Sequence, residues 1–299
     1  MDAQGLPTVP SEILRLDAAG ADRLLENLEA RVPCRTPCAE LPAVPGTSAF
    51  VVGDTHGDWL STVEAVRLFE EAGPSSVFVG LGDYVDRSPS DLQCGAVANA
   101  LYLLGLTARF PTRVYLLQGN HETQRRIPGA PHTLPGEVHR LWGPGPDRYD
   151  RLMRLLERGP LAATSKSGAY FAHAGFPRGE LFPPWQEALA DPGVERLLEV
   201  VWAEPDVAPF HRGAVPPWTE RDLDLFLRAS GLLTVWRGHD PDLAGRPLYG
   251  GRAMTLHTTR LYARHGGVLL GVVPLDRPVH TVLEAEVRHL ATESVRSRG

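Results

Sequence analysis

Lysine is all but missing from this chain. Of 30 side chains counted as lysine plus arginine, only Lys166 is lysine. Arginine alongside abundant alanine and proline is the mark of a GC-rich coding bias, which accounts for most positions. The planar, bidentate fork that an ammonium lacks is the chemical reason to expect arginine at the others. Cysteine is scarce as well. Cys34, Cys38 and Cys94 are too few for a disulfide framework, and the C-x3-C pair has no second thiolate pair or nearby histidine to complete a zinc site. They read as reduced thiols of a cytoplasmic protein. Long apolar runs are absent too. The uncharged run at 93–108 contains Asn99 and two glycines and is too short and too polar to span a bilayer. Asp2, Glu12, Arg15 and Asp17 break up the first twenty residues, so no secretory leader is expected and no membrane partner. There is no internal repeat, no Gly-X-Y period and no basic run longer than Arg125-Arg126.

What is present is globular. Of 299 residues, 43% are apolar and 22% charged, which excludes a disordered chain. The formal net charge of −6 argues against nucleic acid as a partner. It leaves phosphorylated substrates open, because local charge governs a site.

Residues 12–32 space Ile13, Leu14, Leu24, Leu25 and Leu28 as a helix, and this apolar stripe needs burial against the rest of the chain. Four prolines between Pro33 and Gly46 predict an extended connector. From residue 49 the pattern is strand, loop, helix three times over: strands at 50–52, 77–81 and 114–117, and helices at 59–71 and 91–109. Prolines and glycines across 126–146 predict a long loop, and 177–218 predicts short helices and loops; both are expected to wall the substrate side. Further helices are expected at 148–158 and 219–229, and strands at 170–172 and 232–236. Alternation over 253–259, 268–273 and 279–287 predicts antiparallel strands.

A polar cluster follows directly after several short apolar strands, where α/β sheets bind ligands. The clusters are Asp54-Thr55-His56, Asp83 to Arg87, Gly119-Asn120-His121-Glu122, His173 and His239. Taken singly, each has an ordinary reading as a polar turn, a helix cap or a structural histidine. Together, five strand-end clusters with metal-competent side chains form one constellation.

In this constellation the chain resembles the calcineurin-like metallophosphoesterases, in particular a bacterial-like member of the phosphoprotein phosphatase (PPP-type serine/threonine phosphatase) branch. The motifs stand as GDTHG at 53–57, GDYVDRS at 82–88, GNHE at 119–122, HAGF at 173–176 and RGHD at 237–240. The resemblance implies an α/β (α+β) fold, a four-layer αββα sandwich with mixed sheets. It implies a catalytic domain over 47–290, preceded by the helix and connector of 1–46 and followed by a tail at 291–299. It also implies two divalent metal ions, Mn²⁺ first with Fe or Zn²⁺ as alternatives. One ion would be held by Asp54, His56 and Asp83, the other by Asp83, Asn120, His173 and His239, with a water or hydroxide between them. His121 would be the general acid, held by Asp86, and Arg87, Arg212 and Arg237 would bind phosphate. The implied function is a protein serine/threonine phosphatase. A diadenosine polyphosphate hydrolase, a phosphotyrosine-preferring enzyme and a non-catalytic phosphate-binding scaffold remain as alternatives. Two departures stand out. Ser88 replaces the family's usual glycine, and Leu256 to Tyr262 replaces the Ser-Ala-Pro-Asn-Tyr loop whose tyrosine overhangs the site in eukaryotic members. That loop is therefore expected to be missing.

Overall fold

The computed structural model of the chain describes residues 1–145, 147–178 and 185–291. The C-terminal tail from 292, and 179–184 within the expected substrate wall, lie outside the described residues. Two short helical pieces open the chain, α1 (Pro10–Ile13) and α2 (Ala18–Arg31); Asp17 caps α2 by accepting the Gly20 N–H at 2.7 Å. The next elements are β1 (Cys38–Glu40), β2 (Ser48–Val52), α3 (Trp59–Glu71), β3 (Ser76–Gly80), α4 (Gly95–Arg109) and β4 (Val114–Leu116). Then come α5 (Leu134–Trp142), α6 (Arg148–Leu156), β5 (Ala162–Thr164) and β6 (Ala169–Ala172). The remainder holds α7 (Glu187–Ala190), α8 (Val194–Val201), α9 (Glu220–Ser230), β7 (Thr234–Arg237), β8 (Pro247–Leu248), β9 (Ala253–Thr255), β10 (Leu269–Pro274) and β11 (Glu286–His289).

The strands form two mixed sheets, a six-stranded one in the order β1-β5-β6-β7-β9-β8 and a five-stranded one in the order β11-β10-β2-β3-β4. Alternation at period two separates the layers. In β2 and β3, Phe50, Val52 and Phe78 face a helical layer built from α2 to α6. Ala49, Val51, Val77 and Val79 face the other way, onto Ala169, Phe171, Trp236 and Met254 of the second sheet. The far side of that sheet, with Tyr170, Ala172, Val235 and Ala253, is covered by Leu197 and Val200 of α8 and by Leu223 and Phe226 of α9. The result is the four-layer αββα sandwich. No helix among the described residues is long and apolar enough to cross a membrane.

Several expectations shift. The apolar stripe of α2 is buried as its spacing demands, with Leu24, Leu25 and Leu28 in the same core as Leu101 and Leu104 of α4 and Leu152 of α6. The connector is not wholly irregular. β1 pairs in parallel with β5 at the sheet edge, where flanking prolines do no harm to the ladder. The expected loop at 126–146 contains α5. Pro135 sits in its first turn, where a missing N–H costs nothing, and Leu134, Val138 and Trp142 join the core. Near the end, β10 is antiparallel to both β2 and β11, but β9 runs parallel to β7, and a short 3-10 turn occupies Val282–Glu284 ahead of β11.

Candidate metal centre

Six strands from both sheets deliver their carboxyl ends to one place. β2 leads into Asp54 and His56, β3 into Asp83, β4 into Asn120 and His121, β6 into His173, β7 into His239 and β9 into His257. Convergence requires tight backbone. Gly82 sits at φ +105°, and a Cβ there would lie 2.5 Å from the Gly119 nitrogen. A Cβ on Gly238 would lie 2.3 Å from Asp54 Oδ1. The turns also force side-chain-bearing residues into the left-handed region: His56, Asp83, Asp86, Arg87 and His239 have φ of 44°, 56°, 62°, 52° and 72°. Such conformations cost of order 1–3 kcal/mol each and collect at functional sites.

The expected ligands are buried together. Asp54 and Asp83 are 1% and 2% exposed. Asp83 Oδ2 lies 3.7 Å from His56 Nε2 and 3.4 Å from His173 Nε2, and Asp54 Oδ2 lies 3.7 Å from His56 Nε2. Asn120 Oδ1 is 2.9 Å from His173 Nε2 and 3.1 Å from His239 Nδ1. Two groups with ligand atoms close enough to hold a metal ion share Asp83: His56, Asp83 and His121, and Asp83, His173 and His239.

The hydrogen bonds test whether cations fit. His56 Nδ1–H donates to the Val85 carbonyl at 3.1 Å and His173 Nδ1–H to the Leu81 carbonyl at 3.0 Å. Each backbone contact fixes the tautomer and aims the bare Nε2 lone pair at a carboxylate. Lone pair against anion is repulsive in a dry interior, and a divalent ion between them resolves it. Burial keeps His56, His257 and His239 neutral, bringing His56 down to about 4, His257 to about 3 and His239 well below the ordinary histidine value. Burial also raises the Asp54 carboxyl. At Asp83 burial is outweighed by the His121 imidazolium and by the His121 backbone N–H, which donates to Oδ1 at 3.0 Å, and the carboxyl is held well below the usual aspartate range. The residues present suit an oxygen- and imidazole-ligated metal pair.

His121 is built differently. Its Nδ1–H donates to Asp86 Oδ2 at 2.6 Å, and its Nε2 comes within 3.9 Å of Asp83 Oδ2. Burial works against a charged imidazole here, but Asp83 and the Asp86 hydrogen bond prevail and raise the His121 pKa. A narrow cavity opens over these groups, walled by Arg87, Trp202, Arg212, Pro241 and Tyr262.

Of the three arginines expected to bind phosphate, two reach this cavity. Arg212 is gripped by Glu204 and, at 3.1 Å, by Asp240 Oδ1. Arg237 does not face the cavity. It is fully buried, with its guanidinium bonded to the Ala174 carbonyl, Thr255 Oγ1 and Asp240 Oδ2. Its position as the last residue of buried strand β7 directs it into the protein, where it holds Asp240. A tyrosine reaches over the site in place of the family's loop. Although the loop sequence differs, Tyr262 Oη accepts a hydrogen bond from Arg87 Nη1 at 3.2 Å, and its ring packs edge-on over His56 and His257.

Sequence reasoning missed other residues. His257 is buried 3.7 Å from Asp54 Oδ2, with neither ring nitrogen hydrogen-bonded. Its placement at a strand end was the available signal. Glu122 accepts the backbone N–H groups of Asp83, Tyr84 and Gly119 and so ties two of the loops together.

A family model for calcineurin-like phosphoesterases matches residues 48–243. The chain is 25% identical over 255 residues to serine/threonine-protein phosphatase T of Saccharomyces cerevisiae, covering 81% of this chain and 47% of that protein. It is 28% identical over 256 residues to the serine/threonine-protein phosphatase PP2A-like PPG1 of Candida albicans, covering 78% of this chain and 58% of that protein. The chain thus spans about half the length of these curated relatives. A solved protein serine/threonine phosphatase from Saccharomyces cerevisiae, described as similar to human phosphatase PP5, shares the fold with a TM-score of 0.71. That match has 22% identity and covers 92% of this chain and 91% of the other. The family match runs from the start of β2 through the loop behind β7, and so carries every strand end that meets at the site except the one bearing His257; the chain belongs to the calcineurin-like phosphoesterase family.

Proposed function

We propose that the protein is a metal-dependent phosphomonoesterase acting on phosphoserine or phosphothreonine in proteins. The observation that carries this reading is the pairing of His121 with Asp86 beside two ligand groups that share Asp83. Metal binding alone needs no such dyad, whereas proton delivery does. The family depends on a dinuclear metal centre. Asp54, His56 and Asp83 would hold one ion, and Asp83, Asn120, His173 and His239 the other. Mn²⁺ is our assignment for this thiolate-free set, ahead of Fe or Zn²⁺. Bound divalent ions supply Lewis acidity at phosphorus and lower the pKa of water. Arg87 and Arg212 take phosphate oxygens through bidentate guanidinium contacts, and Tyr262 steadies Arg87. His121, its Nδ1–H held by Asp86, delivers the proton from Nε2 to the leaving oxygen. With an alkoxide leaving group this transfer contributes roughly 10²–10⁴ in rate. The names of the two curated relatives support a phosphoprotein substrate, and the free thiols of Cys34, Cys38 and Cys94 support a reducing, cytoplasmic setting.

The test is a substrate panel on chelated and Mn²⁺-reloaded protein. A phosphoserine peptide should turn over only with metal, and faster than a phosphotyrosine peptide or diadenosine tetraphosphate. Hydrolysis that ignores chelation would refute the metal centre, and preference for either rival would reassign the substrate. His121→Asn should lower peptide turnover by roughly 10²–10⁴ with metal content retained. Loss of metal instead would make His121 a ligand, which its position beside His56 and Asp83 allows.

A further inference from the structure

Asp86 carries a second histidine. His132, on the loop leading into α5, has its Nδ1 3.0 Å from Asp86 Oδ2, the oxygen that also takes His121 Nδ1 at 2.6 Å. The other oxygen, Oδ1, accepts the backbone N–H groups of Thr133 and Leu134 at 2.6 and 2.8 Å, with Thr133 Oγ1 at 3.3 Å. On its far side His132 Nε2 lies 2.9 Å from Tyr149 Oη of α6, with the two rings edge to face at 5.5 Å. An ionised carboxylate only accepts, so both imidazoles present an Nδ1–H to the shared oxygen. With its ring proton on Nδ1, His132 accepts a hydrogen bond from the Tyr149 hydroxyl at Nε2. The order of the chain is Tyr149 to His132 to Asp86, with His121 donating from the other end.

We propose that His132, held by Tyr149, is a positioning residue for the general acid. By sharing Oδ2 with His121 and completing the set of donors around Asp86, it stops the carboxylate rotating, which keeps His121 in its Nδ1–H form with Nε2 directed into the cavity. A carboxylate with five donors has one orientation, and a dyad gains from that because proton transfer tolerates little misalignment. The segment that supplies His132, Thr133 and α5 lies outside the metal-ligand motifs, so the device is separable from metal binding.

The inference rests on His121 being the acid of the proposed reaction, and the test exploits leaving-group chemistry. A phenolate such as p-nitrophenolate leaves without a proton, whereas a serine alkoxide needs one. His132→Ala should lower kcat on a phosphoserine peptide by roughly tenfold or more, and kcat on p-nitrophenyl phosphate by under about threefold. KM and bound metal should match the wild type. His132→Asn, which restores a donor toward Asp86, should recover part of the loss, and Tyr149→Phe should reproduce a smaller version of it. Equal slowing on both substrates, or none on either, overturns the proposal. A second readout needs no turnover: the downfield Nδ1–H resonance of His121 should exchange with solvent faster in His132→Ala than in the wild type. An unchanged resonance and exchange rate would overturn the proposal even if the wild type hydrolysed neither phosphoester, an outcome that would count against the proposed function itself.

Discussion

Arg212 and Arg237 read alike in the sequence and are used differently. Both are implied by the family resemblance, and nothing in the flanking residues says which way the guanidinium turns. The fold turns Arg212 toward the cavity and buries Arg237 completely, with Asp240 bridging the two. Arg237→Met should therefore act on stability. It leaves a buried carboxylate short of a partner, and a loss of about 3–5 kcal/mol is expected in the urea-unfolding midpoint analysis. Wild-type stability in that variant would mean Arg212 alone satisfies Asp240. The metal-ligand candidates were legible because each is a metal-competent side chain placed directly behind an apolar strand. His132 and Glu204 were not, because their roles come from residues distant in the chain, whereas His257 carried the same strand-end signal and was passed over.

At the scale of elements, the sequence placed α3 at its observed bounds, Trp59–Glu71. It lost α5, because prolines and glycines on both sides made 126–146 look irregular. α5 has a task the sequence does not advertise. α4 begins behind Cys94, which has φ 53° and provides no side-chain cap. Glu137 of α5 stands in, accepting the Ala96 and Val97 N–H groups at 3.0 and 3.3 Å and the Ser88 hydroxyl at 3.1 Å. A carboxylate at a helix N-terminus satisfies free donors and complements the helix dipole. Glu137→Ala should cost about 1–2 kcal/mol in denaturant titrations, on the scale of losing an N-cap. A change within error would show that water replaces the carboxylate. The Ser88 departure also finds its use here, since its hydroxyl helps hold Glu137.

Taken whole, the molecule is two sheets pressed face to face with the site at their shared rim. Asp54, His56, Asp83 and Asn120 come from one sheet, His173 and His239 from the other. Metal ions bound there would cross-link the halves, and a ligand that binds only the folded state stabilises it by about 2.7 kcal/mol at a hundred times Kd. Saturating Mn²⁺ should raise the Tm of chelated protein by about 5–10 °C. Asp83→Asn, which weakens both ligand groups at once, should abolish most of that rise. An equal rise in the variant would place the stabilising metal elsewhere.

The class of fold and the metal-ligand candidates can be read from the chain before it folds. Apolar strands of period two and helical stripes dictate which faces are buried, and the strand-end clusters supply donors whose chemistry suits hard or borderline cations. Those are local properties, written within a few residues of one another. Tertiary structure decided everything that depends on distance across the chain: the edge pairing of β1 with β5, the inward turn of Arg237, the arrival of Tyr262 above His56, and the second imidazole on Asp86. Hydrogen bonds and desolvation act over a few ångströms in space whatever the separation in sequence, so contacts such as the one between Asp86 and His132 exist only once the layers have closed.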